Sequence, residues 1–167
     1  RVKNHELLLE AFSLLPAEIN ATLCILGEGS RRPLLEDVIQ KKGLQGRVLL
    51  PGFRAETTPW YQHADLFVLS SNHEGFGNVL VESLESGVPV VSTDCPSGPR
   101  EILCDGKYGE LVPVNDPDAL ALAMTDTLSK VPDKDALRSR ASDFSVSEIS
   151  QMYLKVMFCE DYREAVS

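Results

Sequence analysis

The sequence predicts a doubly wound α/β domain with a mostly parallel sheet. Short, continuous apolar runs alternate with segments whose apolar residues recur at helical spacing. Continuous apolar runs are typical of strands that a parallel sheet buries, and strands that alternate with helices build such a sheet. Of the 167 residues, 43% are apolar and 25% are charged, a globular composition sufficient for one core.

The first half of the chain supplies three predicted strands. It opens on a helix over 5–15, because Leu8, Phe12 and Leu15 share one face and Pro16 ends the run. Three strands follow, a fully buried one over 21–26, one over 47–53 broken by Pro51-Gly52, and one over 66–70. Helices over 33–42 and 57–63 separate these strands.

The second half repeats the pattern with two more strands. Asn78 is a suitable N-cap for a helix over 78–86, and Gly87 follows its end. Asp116-Pro117 has the form of a cap and first-turn proline and opens a helix that runs to Leu128. The remaining elements are strands over 88–92 and 109–114, a short helix after Pro99, a polar stretch over 129–135 and a last helix from about 147 to 162.

The chain begins with a helix, whereas a doubly wound domain normally begins with a strand that becomes central in the sheet. We therefore expect a first strand, and whatever precedes it, to lie outside these residues.

Charge and composition exclude several classes of protein. The net charge of −9 opposes a broad attraction to nucleic acid or anionic lipid. No apolar run approaches the roughly 18 residues of a membrane span, and the first residues do not form a signal peptide. The cysteines lack C-x-x-C spacing and disulfide-framework density, which favours a reducing, cytoplasmic setting, and Cys24 is expected in the core. They are Cys24, Cys95, Cys104 and Cys159.

Two glycine-containing loops follow predicted strands, where open parallel sheets bind ligands. The first, Gly27-Glu28-Gly29-Ser30, lacks the third glycine of the dinucleotide fingerprint and the Lys-Ser/Thr of a phosphate loop. The favoured interpretation of this loop is a tight turn that needs a positive φ at glycine.

The second loop spans residues 70–82 and enters a helix. Free N–H groups in its first turn, at Gly77, Asn78 and Val79, favour a phosphate or sugar oxygen. Glu74 precedes this helix and Glu82 lies one turn inside it, so both are expected to line one crevice. Each carboxylate can accept two hydroxyl hydrogen bonds, and the pattern therefore predicts a polyhydroxylated phosphate ester as the ligand.

The same residues carry a family resemblance. Glu74-Gly75-Phe76-Gly77 followed by Glu82, with seven residues between the glutamates, resembles the E-x7-E motif of retaining GT-B glycosyltransferases of group 1, carbohydrate-enzyme family 4. Further landmarks of the family follow in order over nearly the whole chain, at Lys3-Asn4, Leu26–Gly29, Val48–Gly52, Ala64–Ser71, Ser86–Val91, Arg100–Ile102 and Tyr108-Gly109.

The resemblance implies a Rossmann-like C-terminal half of a GT-B fold that binds a nucleotide-diphosphate sugar. The acceptor-binding N-terminal half is then outside this chain, which alone is expected to transfer nothing. Glu74 would lie beside the donor sugar and the reacting centre, and Glu82 would bind the ribose. The backbone from Gly75 to Gly77, with Asn78, would hold the sugar or diphosphate.

The resemblance also assigns cations to the diphosphate. Lys3 matches the lysine that neutralises it, whereas Arg1 is too close to Lys3 to match the arginine that accompanies this lysine. The segment Asp94–Glu101 resembles enzymes that build bacterial surface glycans from UDP-linked sugars. No catalytic metal is expected, and no cofactor is expected either.

Other candidates have weaker signals. Gly27, Arg31, Arg32 and Arg54 follow predicted strands and are further possible donor-binding residues. Glu101 fits either a position near the donor or a helix-start pair with Arg100. His73 is interpreted as a loop histidine rather than a general base. Trp60 and Tyr61 are interpreted as residues that pack a helix.

Two alternative functions remain from the sequence. A GT-B sugar-nucleotide epimerase would share the fold, although it should lack the spaced glutamates. A non-catalytic nucleotide-binding or regulatory module, such as a receiver-like domain, would need an aspartate where this chain has Ser70-Ser71.

Overall fold

The computed structural model describes residues 2–158, within which five strands alternate with eight helices. In chain order the elements are α1 (His5–Ser13), β1 (Leu23–Leu26), α2 (Arg32–Lys41), β2 (Val48–Gly52), α3 (Thr58–Gln62), β3 (Phe67–Leu69), α4 (Asn78–Glu85), β4 (Val90–Thr93), α5 (Pro99–Ile102), β5 (Glu110–Val112), α6 (Pro117–Leu128), α7 (Lys134–Ser142) and α8 (Val146–Phe158). The predicted α/β class with parallel strands is confirmed.

The strands form two parallel sheets rather than the single sheet that the sequence predicts. β1 pairs with β2, and β3, β4 and β5 pair in that order, all in parallel. In a doubly wound domain the first strand lies at the centre of the sheet. The separation between the β1–β2 sheet and the β3–β4–β5 sheet therefore falls where the expected first strand would lie.

Two apolar clusters cover opposite faces of β4. Adjacent strand residues point to opposite faces, and Val91 packs in one cluster whereas Val90 packs in the other. The first cluster joins α1, α2 and α6 to both sheets and includes the fully buried Leu9 and Leu120. The second joins α4, α5 and α7 to the three-stranded sheet.

β2 contains Pro51 and Gly52, which corrects the prediction that they break the strand. The pairing shifts between Cys24 and Leu26, because β2 inserts one more residue than β1 over this interval. Such a bulge accommodates a proline, which has no N–H to donate to the ladder. β1 is also not fully buried as predicted, and Cys24 is exposed rather than part of the core. β1 pairs with a single neighbour within residues 2–158, which explains the exposure.

α7 is absent from the sequence prediction, in which 129–135 is a polar stretch. Asp133 caps this helix through a hydrogen bond from the Ala136 N–H, 3.0 Å long. Only Leu137 and Ala141 are buried on it, so the apolar periodicity is too sparse to stand out.

The last helix begins near the predicted position. Its predicted end at residues 159–162 lies outside the described residues, as do Cys159 and Arg1. No helix within residues 2–158 has the length and apolar character needed to cross a membrane.

Candidate functional site

The loop after β3 turns into α4 at Gly77. Gly77 is the N-cap, with φ 95°, so the predicted cap Asn78 is instead the first helical residue. Only glycine adopts this φ readily, and a Cβ at Gly77 would also lie 3.3 Å from Leu80 Cδ1. The turn therefore depends on the glycine, not on a side-chain cap.

Several backbone N–H groups at this turn have no acceptor among residues 2–158. The N–H groups of residues 75–79 donate no hydrogen bond within the described part of the chain. They lie at the positive end of α4, where an anionic group is favourable.

The segment that precedes α1 lies against the loop after β3. The Asn72 N–H donates to the Val2 carbonyl at 2.8 Å, and Ser70 Oγ donates to the Lys3 carbonyl at 2.9 Å. Asn4 takes a left-handed conformation and donates to Asn72 Oδ1 at 3.1 Å and to Asn115 Oδ1 at 3.0 Å. These bonds bring Lys3 to Glu74.

Glu74 is held through one of its two oxygens. Its Oε1 accepts hydrogen bonds from Lys3 Nζ at 2.7 Å and from Ser71 Oγ at 2.5 Å. The Glu74 side chain is 8% exposed and that of Lys3 is 51% exposed. Within residues 2–158, Oε2 accepts no hydrogen bond, so it remains available to a ligand hydroxyl. Ser71 is a site residue that the sequence analysis missed.

Cys95 and the loop around it approach the same site. Burial raises the pKa of the Cys95 thiol, and the nearby Glu74 carboxylate raises it further. Gly98 packs directly on the neighbouring turn, since a Cβ there would overlap the Phe76 carbonyl oxygen.

Glu82 has different surroundings from Glu74. The Tyr61 hydroxyl donates to Glu82 Oε2 at 3.1 Å, and burial, with a contribution from Glu82, raises the pKa of Tyr61. A cavity of about 540 Å³ lies beside this pair between α3, α4 and α7. Its described lining includes Glu82 but neither Glu74 nor Lys3, so it is not the shared crevice expected for both glutamates.

Tyr61 has a second contact in addition to Glu82. Its ring packs against Phe67 with centroids 5.6 Å apart, in accord with the packing interpretation. The hydrogen bond to Glu82 was not predicted, because no sequence spacing links α3 to α4.

The weaker candidates have other contacts. Arg31 pairs with Glu6 of α1, the Gly27 N–H donates to the Gly52 carbonyl at 2.9 Å, and Arg54 is exposed. The Glu101 carbonyl accepts from Arg140. Within residues 2–158, none of the four forms a hydrogen bond or ion pair with Lys3 or Glu74. Their roles in donor binding remain predictions.

A metal site would need several His, Cys, Asp or Glu side chains close together. Among residues 2–158, no three His, Cys, Asp or Glu side chains are grouped to hold a metal ion. Metal-independent chemistry remains a prediction.

The parallel strands and the helix N-terminus after β3 place the chain among α/β proteins whose ligands bind at strand ends. Residues 1–144 match the family described as glycosyl transferases group 1. The chain therefore belongs to this family, and the resemblance found from the sequence is confirmed.

Two curated relatives indicate the kinds of enzyme involved. The lipopolysaccharide core biosynthesis glycosyltransferase LpsE of Rhizobium meliloti is 33% identical over 93% of this chain and 46% of its own length. An N-acetylgalactosaminyltransferase of Campylobacter jejuni that acts on a diphospho-undecaprenol-linked sugar is 34% identical over 93% of this chain and 43% of its own length. The chain thus spans less than half of each relative.

Solved structures share the fold. The S. aureus protein TarM, in a complex that contains UDP, superposes with a TM-score of 0.85 at 25% identity, over 95% of this chain and 33% of its own. The Anabaena protein HepE with UDP-glucose gives 0.80 at 27% identity, over 93% of this chain and 45% of its own. These proteins are GT-B glycosyltransferases, of which this chain covers the C-terminal part. They give no support to the epimerase or regulatory-module alternatives.

Proposed function

We propose that this chain is the donor-binding half of a retaining glycosyltransferase. It binds a nucleotide-diphosphate sugar, with UDP as the nucleotide, and the sugar passes to a glycan or lipid-linked acceptor in cytoplasmic synthesis of a surface polysaccharide. The observation that carries the proposal is the Lys3–Glu74 pair, 2.7 Å long, beside the free N–H groups of residues 75–79. The choice of UDP is supported by the UDP complexes of TarM and HepE.

The cationic part of the site serves the leaving group. When the anomeric C–O bond breaks, its electron pair leaves with the diphosphate and positive character develops on the sugar carbon. Lys3 Nζ and the free amides of residues 75–79 stabilise that added negative charge. The acceptor hydroxyl oxygen forms the new bond on the same face of the sugar, and its proton passes to the departing phosphate oxygen.

Glu74 serves the sugar. Its Oε1 is fixed by Lys3 and Ser71, which leaves Oε2 to accept a sugar hydroxyl. A carboxylate at this place also stabilises positive character on the anomeric carbon. The low exposure of the side chain, 8%, strengthens both interactions because little water screens them.

Glu82 serves the ribose. Tyr61 occupies Oε2 at 3.1 Å, so Oε1 is the oxygen offered to a ribose hydroxyl. The cavity beside it, about 540 Å³, is large enough for part of a nucleoside. The donor would thus extend from Glu74 to Glu82 across the first turn of α4, and the two glutamates contact different parts of one ligand.

We propose that the acceptor-binding half, and the first strand expected between β1 and β3, come from a part of the protein outside these 167 residues. α8 supports this, because seven of its large apolar side chains are more than half exposed, as on a surface that packs against another body. They are Val146, Met152, Tyr153, Leu154, Val156, Met157 and Phe158. The occupant proposed for this surface is the acceptor-binding half, since the chain covers 46% of LpsE. Sugar transfer by these 167 residues alone, assayed with UDP-sugars and varied acceptors, would contradict the proposal that acceptor binding needs another part of the protein.

Calorimetric titration with UDP, GDP and ADP tests the donor. All three carry a diphosphate, so tighter binding of UDP alone identifies the base. Glu74→Gln is expected to weaken a UDP-sugar about tenfold, about 1.4 kcal/mol, while UDP binding changes little. Glu18→Gln, at an exposed carboxylate outside the lining of the cavity beside Glu82, is the matched control. Equal affinity for the three nucleotides, or none for UDP, would refute the proposed donor.

A further inference from the structure

The aromatic ring between the two glycines of the Glu74–Gly77 motif has a specific partner. Phe76 packs edge-on against Phe144, with ring centroids 5.6 Å apart and an interplanar angle of 66°. Phe144 follows α7, the helix that the sequence analysis missed. Because glycine flanks Phe76 on both sides, this ring contact is the side-chain restraint on an otherwise permissive backbone.

Arg140 fixes Phe144 in turn. Its guanidinium lies 4.6 Å from the centre of the Phe144 ring, and its Nη1 pairs with Asp143 at 2.9 Å. The Arg140 side chain is 17% exposed. A planar cation that contacts both a ring and a carboxylate has little freedom to rotate.

The same guanidinium also holds α5. Arg140 Nε donates to the Ile102 carbonyl at 2.9 Å, and Nη2 donates to the Glu101 carbonyl at 2.6 Å. α5 begins after Gly98, which packs against the Phe76 carbonyl. Phe76 is therefore restrained twice, through its ring by Phe144 and through its backbone by Gly98. Arg140 contacts Phe144 directly and holds α5, the helix that begins after Gly98.

We infer that Arg140 and Phe144 are positioning residues that set the direction of the free N–H groups of residues 75–79. The inference rests on the proposed function, in which these amides bind the donor diphosphate. Neither residue contacts the donor. Their effect passes through Phe76, and preorganised donors lose much of their value when they are displaced.

Two ligands separate positioning from general stability. Uridine lacks the diphosphate and binds through the Glu82 side of the site, whereas UDP also needs the amides of residues 75–79. Phe144→Ala is expected to raise the dissociation constant for UDP about tenfold and to change that for uridine less than about twofold, a selective loss of donor-phosphate binding. Phe144→Tyr retains the ring and restores UDP binding.

Arg140 gives a second pair of variants. Arg140→Lys keeps the charge but loses the planar group that bonds two carbonyls and covers the ring, so it is expected to lose as much UDP affinity as Arg140→Ala. Ser139→Ala, exposed on the same helix, is the matched control. Equal losses for UDP and uridine, or unchanged UDP binding in Phe144→Ala, would overturn the inference.

A ligand-free measurement keeps this test independent of the proposed function. The backbone order parameters of Gly75, Phe76 and Gly77, measured by NMR relaxation, are expected to fall in Phe144→Ala and not in Ser139→Ala. If the wild-type chain binds no UDP but this fall occurs, the proposed donor is wrong and the positioning role remains. Unchanged order parameters would overturn the positioning role.

Discussion

Lys3 and Glu74 are 71 positions apart in the sequence and form an ion pair 2.7 Å long at the end of β3. The pair joins a cation that is 51% exposed to a carboxylate that is 8% exposed. The exposed Lys3 ammonium can therefore move toward a ligand, whereas the buried Glu74 carboxylate is fixed. Predictions for the site follow from this difference.

Lys3→Ala is expected to weaken UDP binding about tenfold or more, because the charge that offsets the diphosphate is lost. The midpoint of thermal unfolding should change little, since pairs with an exposed partner contribute about 1 kcal/mol or less. Lys41→Ala, in an exposed pair with Asp37 on α2, is the control for net charge. Calorimetry and a thermal melt measure both quantities, and equal losses of UDP affinity in the two variants would contradict a local role for Lys3.

The residues of this pair could be predicted from the family motif, but their contact could not. It depends on the hydrogen bonds that lay Val2 and Lys3 along Ser70 and Asn72, and no local pattern encodes such distant backbone pairing. The same reason accounts for the unpredicted contact between Tyr61 and Glu82.

The helices and strands also differ in whether local sequence or distant contacts determine them. α6 was predicted because Asp116 caps it through a 2.9 Å bond from the Ala119 N–H, a purely local signal. α7 was missed because its stability comes from packing Leu137 and Ala141 on α4 and α5, which sparse apolar spacing does not reveal. The separation of the two sheets depends on which strands meet, and strand order is not a local property.

Ser71→Ala tests the second bond to Glu74. The Ser71 hydroxyl is buried and donates to Oε1, so its removal is expected to cost about 1 kcal/mol of unfolding free energy and to loosen the carboxylate. UDP-sugar affinity should fall while UDP affinity is retained. Ser83→Ala also removes a buried hydroxyl, one that bonds the Val88 carbonyl at 3.2 Å, and should destabilise without this selective effect. Titrations with the two ligands, beside urea unfolding, distinguish the variants.

Tyr61→Phe tests the bond to Glu82 through pH. Burial and then Glu82 raise the pKa of Tyr61, so this group stabilises the fold below its ordinary pKa of 10, and that stability is lost as the pH rises further. The wild-type chain should therefore lose unfolding free energy above about pH 10 more steeply than Tyr61→Phe. Tyr153→Phe, exposed on α8, is the control. Equal pH slopes for the three proteins in urea unfolding would argue against the buried hydroxyl.

Thiol labelling tests the surroundings of Cys95. Burial, followed by the Glu74 charge, raises its pKa, so little thiolate forms at neutral pH, and the side chain is also covered. Cys24 and Cys104 are exposed and are expected to react with iodoacetamide before Cys95 at pH 7.5. Peptide mass spectrometry over a time course ranks the sites. Early labelling of Cys95 would show that the loop over Glu74 opens more readily than the structure implies.

Gly98→Ala tests the contact between the two loops of the site. A Cβ at Gly98 would overlap the Phe76 carbonyl oxygen, and its φ of 91° is also strained for a side chain. The substitution should cost at least about 2 kcal/mol of unfolding free energy and weaken UDP binding, because the Phe76 backbone must move. Gly29→Ala adds the same methyl group in open space without a positive φ and should stay within about 0.5 kcal/mol of the wild type. Similar urea midpoints for these two alanine variants would mean that the two loops are not in contact, and the support for the Phe76 backbone would then have to come from Phe144 alone.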